Sequence, residues 1–172
     1  MTVIRPHTDA DFEGVGEVSV RSWQAGYAGI VPAEYLAGLD PVRNAERRRN
    51  YPMRPDQHLL VAEADGKIVG FANFGPYLRD DGGFDEGMGH LYAIYVHPDR
   101  WGRGIGRELF LAAKAGLTAD GFPDLRLWVL TANVRARRFY ERLGLAPDGV
   151  EQSWTPRDSP VELPEMRYAT PL

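Results

Sequence analysis

Val96-His97-Pro98-Asp99-Arg100-Trp101-Gly102-Arg103-Gly104-Ile105-Gly106 joins an apolar run to an amphipathic one, and its reading decides the fold. Upstream, His90 to Val96 reads as a strand that Pro98 ends. Downstream, Gly104 to Thr118 reads as a helix with Ile105, Leu109, Ala112, Ala113 and Gly116 on one face. The turn between them carries glycine at alternate positions, so the backbone can bend sharply and approach a ligand without a Cβ in the way. The first N–H groups of the following helix lack intrahelical partners and carry the positive end of its dipole. A pyrophosphate fits there, with Arg103 and Arg107 available for charge pairing. The plain alternative is a tight strand-to-helix turn with solvated arginines. Two other phosphate-binding patterns are excluded. The spacing is not the Gly-x-Gly-x-x-Gly of an early βαβ unit, and no Gly-Lys-Ser/Thr ends the turn.

Working outward, Thr2 to Arg5 reads as a first strand, and Thr8-Asp9-Ala10-Asp11 as the cap of a helix running from about Asp9 to Ala25. Pro32 to Leu39 reads as a second short helix, and Pro41 to Asn50 as a polar helical segment. His58 to Ala64 and Ile68 to Phe74 flank Asp65-Gly66, a hairpin signal. The Asp- and Gly-rich stretch from Arg79 to Gly87 is expected to be a mobile loop. Beyond the central turn, Leu125 to Leu130 is a short strand. Asn133 caps a helix with Ala136, Phe139, Tyr140 and Leu143 on its buried face, which Gly144 stops. Strands near Gly149 to Trp154 and Glu162 to Ala169 follow. This order predicts an α/β (α+β) fold: a mixed central sheet of about seven strands flanked by helices on both faces, in a single domain over residues 1–172.

Composition narrows the function. With no cysteine, disulfides, thiolate metal sites and an acyl-cysteine intermediate are all excluded. The net charge of −4 argues against general nucleic-acid binding, and the local cluster Arg100, Arg103 and Arg107 suits a small anion. Four scattered histidines show no metal-ligand spacing, so no metal is expected. No long apolar stretch and no signal-peptide core are present. The expectation is therefore a cytoplasmic protein without a membrane anchor.

The stretch from Val96 to Gly106 resembles the acetyl-CoA signature of the GNAT N-acetyltransferase superfamily, Val-x-Pro followed by Gln/Arg-x-x-Gly-x-Gly/Ala. Asn133, Ala136, Phe139-Tyr140-Glu141 and Gly144-Leu145 resemble its second motif, Asn-x-x-Ala-x-x-Phe-Tyr-x-x-x-Gly-Phe. Trp101 departs from the signature, where Gln or Arg is usual. Because the family's pyrophosphate contacts are largely backbone N–H groups, binding is expected to survive, with the indole packed over the turn.

The resemblance implies a GNAT fold and an acyltransferase that moves acetyl directly from acetyl-CoA to a primary amine of a small molecule or peptide. A homodimer is common in the family. It implies cofactor contacts from Ile94, Tyr95 and Val96, from Trp101, Gly102, Arg103, Gly104, Ile105, Gly106 and Arg107, and from Asn133. Tyr140 matches the tyrosine that protonates the CoA sulfur in relatives. Its other reading is an aromatic on a buried helix face. His90 stands where many relatives carry Glu, so it is a candidate base, directly or through water; otherwise it is a hydrogen-bonded strand histidine. Trp23 and Tyr27, at i and i+4, line an amine pocket in one reading and belong to the core in the other. A non-catalytic acyl-CoA sensor or partner-binding module on the same scaffold is the contrasting class. It would keep the glycine turn without needing Tyr140.

Overall fold

The computed structural model describes residues 1–172. Seven strands form one sheet: β1 (Thr2–Pro6), β2 (His58–Ala64), β3 (Lys67–Leu78), β4 (Phe84–Val96), β5 (Asp124–Leu130), β6 (Ala146–Trp154) and β7 (Leu163–Pro171). Their spatial order is β1-β2-β3-β4-β5-β7-β6. All neighbours run antiparallel except β4 and β5, which are parallel. Helices α1 (Phe12–Gly26), α2 (Ala33–Ala37) and α3 (Pro41–Arg49) cover one face, and α4 (Ile105–Ala119) and α5 (Val134–Arg142) the other.

Strand sequences that are apolar at successive positions make sense of this, since both faces of the sheet are covered. In β2, Val61 packs with Phe12, Val15 and Val18 of α1, while its neighbour Ala62 joins Leu109, Phe110 and Leu117 of α4. Phe71 and Phe74 of β3, an odd number of positions apart, divide between the same two clusters. Gly116 lets α4 lie directly on the sheet: a Cβ there would sit 2.6 Å from the Phe74 ring. The Asp65-Gly66 hairpin forms with both residues in the left-handed region, at φ 53° and 71°.

Three local expectations change. Arg79–Gly87 is not one long loop. Arg79 N–H bonds Gly83 O at 2.8 Å and closes a short turn, and β4 begins at Phe84. The carboxylates of Asp81 and Asp85 accept from the N–H groups of Gly83 and Gly87, so the polar residues build the hairpin tip. At the first helix, Thr8 and Asp11 form their capping box on a single 3₁₀ turn, and α1 starts at Phe12. The apolar face of α5 is only half-buried, because it borders a cleft. No helix is long and apolar enough to cross a membrane, and no group of three His, Asp or Glu side chains is placed to hold a metal.

Candidate active site

The cleft opens where the sheet fails to pair. β4 and β5 share only Gly89↔Leu125 and His90↔Arg126, then diverge. The alternation of the β3–β4 ladder decides which backbone groups face the gap. His97 N–H reaches Val69 O at 2.8 Å and Tyr95 stands opposite Phe71, so Ile94 and Val96 point their N–H and C=O groups away from β3 and into the gap. Tyr95 contributes side chain, not backbone. The Val96 carbonyl accepts from Ser22 Oγ at 2.8 Å and from Trp101 Nε1 at 2.7 Å, which ties the strand end to α1 and to the glycine turn.

After Val96 the chain makes a 3₁₀ turn over Pro98–Arg100 and enters α4 through Gly102 and Gly104, at φ 73° and 84°. No Cβ crowds the turn, and no side chain caps α4, so its leading N–H groups are open to an anion. Phe139 of α5 packs against Gly106, 3.4 Å from where a Cβ would stand. Arg100 is drawn to Asp65 at 3.1 Å, whereas Arg103, Arg107 and Arg142 border the cavity without a carboxylate partner. Arg135 stacks on Trp101, 3.4 Å from the ring centre.

A cavity of about 580 Å³ gathers these groups. Ile94, Tyr95, Val96, every residue from Trp101 to Arg107, Asn133, Tyr140 and Tyr27 all line it. Asn133 Oδ1 is committed to the Ala136 N–H at 3.1 Å as the cap of α5, which leaves its amide NH₂ for the cavity. Tyr140 presents its hydroxyl near Tyr95; burial first, then the neighbouring Tyr95, pushes its pKa well above the ordinary tyrosine value. Tyr27 Oη lies 3.4 Å from Tyr95 Oη, and burial raises both. Ser22, Trp128 and Arg135 also line the cavity. The signal for them lay in long-range pairing, not in local spacing.

Two residues singled out in the sequence lie off the cavity lining. His90 is 6% exposed, stacked on Tyr77 at 4.8 Å, and its Nδ1 accepts the Leu78 N–H at 3.2 Å. That bond puts the ring hydrogen on Nε2. Burial, then the charge of Arg167, lowers its pKa to about 3. A ring held this way has no free lone pair with which to take a proton from an amine. Trp23 is the hub of an aromatic group, with ring centres 4.6 Å from Tyr27, 5.5 Å from Trp154 and 6.3 Å from Tyr35. It therefore supports the wall that Tyr27 faces.

Comparison with known proteins agrees with this geometry. The acetyltransferase (GNAT) family model matches residues 23–145. The uncharacterized N-acetyltransferase YuaI of Bacillus subtilis is 32% identical over 134 residues, which is 77% of this chain and 74% of that protein. The PaiA N-acetyltransferase of Thermoplasma acidophilum, solved with coenzyme A, superposes with a TM-score of 0.79 at 23% identity, over 100% of this chain and 99% of that one. YncA of Salmonella typhimurium, solved with its cofactor acetyl-CoA, gives a TM-score of 0.71 at 21% identity, over 99% and 94%.

Proposed function

The chain belongs to the GNAT acetyltransferase family, and from that membership and the shape of the cleft we propose that this acyltransferase moves an acetyl group directly from acetyl-CoA to a primary amine. The observation that carries the reading is the junction of two features in one cavity: the uncapped α4 N-terminus, and the cleft-facing N–H groups of Ile94 and Val96 beside Tyr140. The first fits a pyrophosphate, the second a thioester. The fit to CoA rests on the open N–H groups of the glycine turn, the unpaired arginines around it and the lack of any Cβ at Gly102 and Gly104. The coenzyme A and acetyl-CoA held by PaiA and YncA support the same donor.

The chain's own groups divide the work. The turn and the arginines bind phosphate. Ile94 and Val96 N–H groups donate to pantetheine and to the acetyl carbonyl, where negative charge develops during transfer. Tyr140, protonated at any working pH, donates to the departing sulfur. With no cysteine in the chain, an acyl-cysteine carrier is excluded, and direct transfer is the simpler scheme. The acceptor enters past Tyr27 and the C-terminal end of α1.

The test is thiol release from acetyl-CoA across a panel containing ethylamine, phenethylamine, spermidine, amino acids and an alanyl peptide, with the product identified by mass. Stoichiometric thiol release and N-acetylation of at least one amine is the expected result. Tight CoA binding with no acetylated amine anywhere in the panel would overturn the catalytic reading.

A further inference from the structure

An alkylammonium must lose a proton before its nitrogen can attack, and the geometry of His90 leaves that task unassigned. We propose that Glu165 performs it: the carboxylate on the α1 face of β7 receives the acceptor's ammonium group and removes one proton from it. The inference rests on the amine-acetylation reading above.

The placement follows from strand register. Glu165 stands opposite Leu130, the last residue of β5, where β5 has parted from β4. Trp128, two residues earlier on the same face, lines the cavity, and Glu165 lies just beyond that lining. Alternation along β7 sends Tyr168 to the other face, where its hydroxyl bonds Glu141 beneath α5. Glu165 therefore projects toward α1 and α2. Gln152 of β6 donates to its Oε2 at 2.8 Å, which fixes one oxygen and leaves Oε1 without a protein partner. Trp154, two residues further on the same face of β6, packs on Trp23. The carboxylate thus borders the aromatic wall that continues to Tyr27, and its charge is felt by both Tyr27 and Tyr95.

The other charged groups on this side do not compete for the role. Arg167, on the same face of β7, is tied to Asp148 at 2.6 Å and to the Tyr77 hydroxyl. Arg48 of α3, beyond Tyr95, is bonded to Asn44 and Ser19. Asp80, in the β3–β4 turn, acts on Glu165 only by repulsion. Burial, and then Asp80, raise the Glu165 pKa, opposed by the Gln152 bond. The shift makes the carboxylate a stronger base and narrows its distance from an alkylamine.

The protons balance. The ammonium brings three; Glu165 takes one and later gives it to solvent. As the C–N bond forms and the C–S bond breaks, Tyr140 gives its proton to sulfur and regains one from nitrogen. The amide keeps the third.

The experiment compares ethylamine, cationic at pH 7, with 2,2,2-trifluoroethylamine, a near-isostere that is neutral at pH 7. Glu165→Gln is expected to lower kcat/KM for ethylamine about 100-fold, to remove the acidic limb of its pH profile, and to leave the fluorinated amine within about threefold, with Glu165→Asp recovering part of the loss. CoA affinity, measured by calorimetry, stays unchanged, because Glu165 is away from the glycine turn. Equal losses with both amines, or loss of CoA binding, would make Glu165 structural and overturn the inference. An unchanged variant would overturn it too. In both cases the wild-type turnover leaves the proposed function standing, whereas a wild-type enzyme that acetylates no amine at all sinks both.

Discussion

The indole of Trp101 donates its Nε1–H to the Val96 carbonyl at 2.7 Å, so the residue that departs from the usual signature fastens the glycine turn to the end of β4. Arg135 of α5 lies against the same ring at 3.4 Å from its centre, which adds a third element to the junction. Trp101→Phe keeps a ring for Arg135 and removes the N–H. Losing one neutral hydrogen bond of about 1 kcal/mol should weaken CoA binding about fivefold. Trp101→Ala also frees Arg135 and should cost tenfold or more, by roughly 1 kcal/mol beyond the hydrogen bond. Calorimetric titration with CoA measures both; equal affinities for all three proteins would show that the turn holds itself.

Gly104 sits at φ 84° at the head of α4. A Cβ there meets no neighbour, so the penalty of Gly104→Ala is conformational, about 1 to 2 kcal/mol. The chain relieves that strain by turning the first N–H groups of α4 away from their common focus. The expected outcome is a small drop in melting temperature and a disproportionate loss of CoA affinity. A protein destabilised as stated but binding CoA normally would remove these N–H groups from the phosphate site.

Features encoded locally in the sequence and features made by long-range pairing differ in how visible they are. Gly102, Gly104 and the Asp65-Gly66 hairpin were legible because each encodes a local backbone conformation that few other residues adopt. Tyr140 was legible through the likeness of its helix to the second family motif; spacing alone put it with Ala136 on a buried face, and both line the cleft. The burial of His90 was not, because it is made by Tyr77 and Leu78, the last residues of β3, which meet β4 only through the bulged register beyond Pro76 that local spacing does not encode. Glu165 was invisible for a similar reason. Its surroundings come from β5, β6 and α1, and only the β5-β7-β6 order, in which the chain's last strand inserts, brings them together.

Tyr140→Phe separates binding from chemistry. The hydroxyl contributes no hydrogen bond within the protein, and the ring's contacts with Phe139 and Tyr168 survive the change. CoA affinity should stay within about twofold while kcat falls roughly 100-fold, the usual scale for a lost proton donor. The raised pKa of Tyr140 keeps it protonated through neutral and mildly alkaline pH, so the wild-type rate should show no alkaline decline from this group below the ordinary tyrosine value near 10. Rapid-mixing measurements of thiol release test this, provided that product release is shown not to limit turnover.

His90 makes the fold sensitive to acid without making catalysis so. Its folded pKa, about 3, lies below the unfolded value of 6.5. Between those values the unfolded chain binds the proton and the folded one does not. Stability therefore rises with pH in this window, is complete above about 6.5, and is lost as pH falls toward 3. His90→Gln retains an acceptor for the Leu78 N–H but cannot ionise. The variant should lose part of the acid sensitivity of its melting temperature, while kcat/KM at pH 7 to 8 stays within about threefold of wild type, a factor that corresponds to less than 1 kcal/mol. A variant with an unchanged melting profile but a collapsed rate would instead put His90 in the proton path, through a displacement of the β3–β4 tip that opens its buried ring.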